Sequence, residues 1–122
     1  MKQSFLTGAA LLLGVSHAPA HADCMTEPFS IPYWGVSTVT AMSARSGEPC
    51  SVRGVTGGSS VISSVQVSAP PRNGTATVGD GDAVWYRSQP GFTGADAFEF
   101  TMSGTSDGRP GTSTVRVQVT VQ

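Results

Sequence analysis

The alternation of apolar and polar side chains is strictest at the C-terminal end. In "STVRVQVTV", Val115, Val117, Val119 and Val121 share one face, and Thr114, Arg116, Gln118 and Thr120 share the other. That period of two predicts a half-buried strand. "AFEFTM" groups Phe98, Phe100 and Met102 against Glu99 and Thr101, and "AVWYR" groups Val84 and Tyr86 against Trp85 and Arg87. Upstream, 61–67 and 75–78 read as shorter strands, separated by the break "APPRNG". Segments 36–42 and 50–53 are candidate strands around the turn "RSGEP". No window repeats apolar residues at three- and four-residue spacing, so helices are not expected. About seven short strands between turn signals predict an all-β fold, an antiparallel sandwich of two sheets, with a small barrel as the alternative. Segment 23–33, with Pro28 and Pro32, reads as an extended arm before the first strand.

The N-terminus changes the picture. "MKQSFLTGAALLLGVSHAPAHA" has Lys2 at its start, an apolar run over 5–15 and the small-x-small site Ala20-His21-Ala22. This is the pattern of a secretory signal peptide over 1–22, with a single domain over 23–122. The apolar run is too short for a stable membrane span, so no membrane insertion is expected after cleavage. The expected location is exported, periplasmic or extracellular. Cleavage leaves six arginines against eight acids, a net charge of −2, with no basic cluster. Nucleic acid and anionic membrane surfaces are therefore not expected partners. In an oxidising compartment Cys24 and Cys50 pair by default. The rival fate of Cys24 is lipidation, and Asp23 directly before it argues against that fate.

Candidate chemistry is thin. His17, His21 and Lys2 all lie in the leader, so the mature chain holds no histidine and no lysine. Ser-His-Asp, Cys-His and Ser-Lys catalysis all lack their base. Zinc sites draw on His and Cys, and only two cysteines remain. Asp80 and Asp82 in "GDGD" are the one close carboxylate pair, and two-residue spacing in a Gly-rich turn suits a solvated turn. No enzyme is expected. Ca²⁺ is the one cofactor with candidate ligands, Asp80, Asp82 and Asp96; a full Asp-x-Asp-x-Asp-Gly loop is missing, so the expectation is no metal.

Strand number and turn spacing suit a Greek-key sandwich of Ig-like type. "PPRNGTATV", Tyr86, "PGFTGADAFEF" and the last valine-alternating strand resemble the bacterial Ig-like, cadherin-like repeats of large surface and adhesion proteins. The likeness runs from about Val65 to Gln122 and is most specific over Gly91-Phe92-Thr93-Gly94-Ala95-Asp96-Ala97-Phe98. Such repeats usually place proline two residues after the tyrosine; this chain has Ser88 there and Pro90 beyond it. They also usually occur in tandem. The resemblance implies a non-catalytic module.

The corner's own chemistry agrees. Gly91 and Gly94 permit positive φ, Phe92 can plug the core's end, and Asp96 can accept hydrogen bonds from loop N–H groups. Phe98 begins the inward row, and Tyr86 brings a hydroxyl that needs a partner near the rim. Trp85 falls on the outward face beside Arg87, which makes the two a candidate surface contact. The expected function is an exported Ig-like domain acting through its surface in adhesion or envelope structure, on a protein or glycan partner. The alternative is a small soluble periplasmic binding protein or assembly subunit.

Overall fold

The computed structural model describes residues 24–54 and 56–122; the expected leader over 1–22 and the cleavage point before Asp23 lie outside them. The strands are β1 (Cys24–Thr26), β2 (Ser37–Ala44), β3 (Cys50–Arg53), β4 (Ser60–Ala69), β5 (Gly74–Val78), β6 (Ala83–Ser88), β7 (Gly94–Ser106) and β8 (Arg109–Val121). They form a five-stranded sheet, β1-β2-β8-β7-β4, and a three-stranded sheet, β3-β6-β5. Between them the inward rows form one core, so the fold is the two-sheet sandwich that the alternation predicts. Phe98, Phe100 and Met102 on β7 and the four valines of β8 are buried, facing Val52, Val84 and Tyr86 of the other sheet. Each such side chain contributes about 1.5–3 kcal/mol of gross burial energy.

Two details depart from the expected strand map. The pairs are not all antiparallel: β2 runs parallel to β8, from Ser37 opposite Thr114 to Ala44 opposite Val121. The expected arm is also partly strand, since β1 pairs antiparallel with β2 and raises the number of strands among the described residues to eight. A three-residue strand is too short to show alternation. Its pairing is fixed by where the chain can reach, not by its own pattern.

The two longest strands, β7 and β8, form a hairpin closed by Asp107 and Gly108, at φ 51° and 76°. Two successive positive φ values make a two-residue turn whose twist matches that of its strands, and Asp-Gly suits it. Pro110 is tolerated at the start of β8 because β2 begins its pairing only at Thr114, leaving that side of β8 without a ladder partner. Close to this turn Gly104 pairs with Gly111, and Trp34 lies across both. A Cβ at Gly104 would sit 2.7 Å from Trp34 Cζ2 and collide with the backbone of Val61. The glycine pair thus makes the seat for the indole.

Candidate functional site

The chain passes from the three-stranded to the five-stranded sheet between β6 and β7, over 89–93. Gly91 has φ +89° and Gly94 +127°, values that L side chains rarely adopt. The Phe92 N–H donates to the Gln89 carbonyl at 3.1 Å and closes the turn. The Phe92 ring packs against the core, and the Gly91 N–H donates to Ser46 Oγ at 2.9 Å.

Asp96 joins this crossing to a second one. The loop between β4 and β5 also passes from sheet to sheet. Its Arg72 and Asn73 N–H groups donate to Asp96 Oδ1 and Oδ2, each at 3.1 Å. The Ala97 N–H donates to Oδ1 at 2.9 Å. The Tyr86 hydroxyl, from β6, donates to Oδ2 at 2.9 Å. Both oxygens are therefore occupied by donors, and one carboxylate ties two sheet crossings and the middle strand of the smaller sheet. Tyr86 is fully buried and its ring stacks on Phe98, with centroids 5.7 Å apart. Burial, and then the hydrogen bond and charge of Asp96, push the Tyr86 phenol well above its ordinary range. It stays a neutral donor at physiological pH.

This geometry gives Asp96 a structural task, and two substitutions separate the charge from the acceptor. Asp96→Asn keeps one acceptor oxygen and is expected to cost about 1–2 kcal/mol, because an N–H group then faces a donor. Asp96→Ala leaves the buried hydroxyl and the loop N–H groups without an acceptor and should cost clearly more. Thermal melting of both variants in chelator and in Ca²⁺ checks this order. Equal melting of Asp96→Ala and parent, or a Ca²⁺-dependent rise lost in Asp96→Asn, would show a ligand role instead.

Asp80 and Asp82 lie in a single 3-10 turn around Gly81, and Asp82 itself has φ 62°. Among the described residues, no group of three or more His, Cys, Asp or Glu side chains is placed to hold a metal ion. Cys24 and Cys50 form a disulfide, with Cα atoms 5.5 Å apart. It joins β1, at one edge of the larger sheet, to β3, at one edge of the smaller.

Trp85 stands on β6, the middle strand of the smaller sheet, and is 43% exposed. Ser51 and Thr77 are its cross-strand neighbours. Its pyrrole edge lies over Gly79, where a Cβ would come within 2.8 Å of Cδ1 and Nε1. Arg87 is exposed two residues along the same face, and Arg53 is exposed on β3. Sequence alternation marks Trp85 and Arg87 but not Arg53, which reaches this face through the register of β3 against β6. Gly79, the residue on which the indole rests, carries no sequence signal beyond its place in a turn.

Comparison with known proteins adds one match. No curated protein matches the chain. The model of the bacterial Ig domain family matches residues 32–120, reaching well upstream of the quoted corner motif and taking in all strands but the first. With that match over most of its length, two sheets in sandwich order and a glycine-aspartate corner between them, the chain belongs to the bacterial Ig domain family.

Proposed function

We propose that this chain is an exported, non-catalytic Ig module that acts by contact, and that its contact face is the outer side of the three-stranded sheet. The observation that carries this is Trp85. A large indole stands partly exposed on a central strand. Partly exposed tryptophans flanked by arginine are the residue types most often found to anchor interfaces. Bacterial Ig domains are generally non-enzymatic. Residues 23–122 also carry no histidine or lysine to serve as a base near neutral pH. Export is supported by the Cys24–Cys50 bond, which suits an oxidising compartment, and by the leader pattern over 1–22.

In a contact role the module works through shape and desolvation. Covering the indole removes apolar surface from water, and the neighbouring arginines supply oriented donors. The test is retention. Parent protein made in a bacterium with its own N-terminus should fractionate with the cell envelope or an envelope extract. Trp85→Ala should reduce that retention by roughly tenfold, as expected for loss of an interface anchor. Its melting temperature should fall by only a few degrees, because the side chain is outside the core. Equal retention of the two proteins would overturn this contact face.

A further inference from the structure

We infer that the outer face of the three-stranded sheet binds a carboxylate-bearing polysaccharide, a uronate chain, with Trp85 as the platform for a sugar ring and Arg53 and Arg87 as carboxylate partners. This rests on the proposal that the same face is the contact surface. The outward positions are Ser51 and Arg53 on β3, Thr75 and Thr77 on β5, and Trp85 and Arg87 on β6. None of these is acidic, in a chain whose net charge is −1, although the Asp80–Asp82 turn borders the face where the Arg53 guanidinium lies against Gly81. Among the described residues, neither the Arg53 nor the Arg87 side chain has an ion-pair or hydrogen-bond partner, whereas Arg116 on the opposite sheet is paired with Glu99 at 3.1 Å.

The cross-strand register sets these groups in rows. Arg53 is opposite Ala83, Ser51 and Thr77 flank Trp85, and Thr75 is opposite Arg87. Successive rows on one face lie about 7 Å apart. The arginine rows therefore bracket the indole row, with a span of roughly 14 Å between them. Each guanidinium offers a planar fork that matches a carboxylate. The serine and threonine hydroxyls can donate and accept, as sugar hydroxyls require.

The posture of Trp85 is the most specific observation. Gly79 has no Cβ, and the pyrrole edge of the indole lies against it. With Trp85 43% exposed, part of its planar apolar ring stays open to solvent. A pyranose ring presents a flat C–H face to such a plane. An acidic peptide fits less well. Extended peptides bind by adding to an open strand edge, with pockets for alternate side chains. Trp85 sits on the middle strand, with β3 and β5 paired on either side, so no backbone edge is open beside it.

The test uses the full exported chain and polygalacturonate oligomers, measured by calorimetry and by retardation in gels containing the polymer. Parent should bind polygalacturonate, with affinity that falls as salt rises. Its fully methyl-esterified form, which keeps the rings and loses the charge, should bind about tenfold more weakly. Trp85→Ala and Arg87→Gln should each weaken binding severalfold to tenfold. Gly79→Ala separates platform from fold: Gly79 is extended, at φ −115° and ψ −165°, so alanine fits the backbone and only displaces the indole. It should weaken binding with melting unchanged. Lack of polygalacturonate binding, binding unaffected by Trp85→Ala and Gly79→Ala, or equal binding of polyglutamate would each overturn the inference. Trp85-dependent envelope retention without polygalacturonate binding would sink the glycan assignment and leave the contact face standing. Trp85-dependent polygalacturonate binding without Trp85-dependent retention would do the reverse.

Discussion

Phe98→Ala is expected to remove roughly 3–5 kcal/mol of stability, a large share of the 5–15 kcal/mol that a domain possesses. Phe98 is 1% exposed, lies in the β7–β8 ladder opposite Val117 and stacks on Tyr86. Its loss acts on three levels. The buried ring's transfer energy is lost and a cavity is left between the sheets. The stacking that positions Tyr86 goes, worth about 0.5–1.5 kcal/mol in aromatic pairs. The Tyr86 hydroxyl is then held to Asp96 by a ring with space on one side. Urea denaturation of Phe98→Ala beside Arg87→Gln gives the comparison. The exposed arginine should change stability by no more than about 0.5 kcal/mol. A Phe98→Ala midpoint as high as that of Arg87→Gln would mean that the sandwich is not organised around this ring.

Much of the sandwich was legible because its inner rows are strictly periodic. Val115 to Val121, Phe98 to Met102, and Val84 with Tyr86 all lie inward as the alternation requires. The likeness of "PGFTGADAFEF" to a corner between strands was legible too, because glycine and aspartate have few other reasons to recur in that spacing. What stayed hidden depends on partners distant in sequence. "SGTSDGRPGT" reads as loop by composition, yet most of it is strand, joined by the Asp107–Gly108 turn. Its Gly104 and Gly111 seat Trp34, a residue some 70 positions upstream. The direction of β2 was equally hidden: inward Thr40, Met42 and Ala44 fit either a parallel or an antiparallel neighbour. For Asp96, a capping carboxylate could be expected locally, but its bonds to Arg72 and Asn73 arise only when two sheet crossings meet. On the outer face, Trp85 was visible by parity, and Arg53 needed the register of β3.

Reduction of the Cys24–Cys50 bond is expected to lower stability by about 3.5 kcal/mol, from the loop entropy that the bond removes from the unfolded chain. Strain in the native bond would subtract from that figure. For a domain of this size the melting temperature should drop by roughly 15–25 °C. The effect should also be local. β1 has three residues and its sheet partner is β2, so the bond to β3 is its one covalent anchor across the sandwich. Once reduced, β1 and the β1–β2 pairing should exchange their amide protons early, while the long β7–β8 hairpin stays protected to the global limit. Hydrogen exchange and urea denaturation, each in oxidised and reduced protein, check both parts. Thiol labelling of denatured, unreduced protein should find no free cysteine. Equal urea midpoints in the two redox states would remove the stabilising role of the bond. Uniform loss of protection across all strands would show that β1 is not a separable edge but part of the cooperative core.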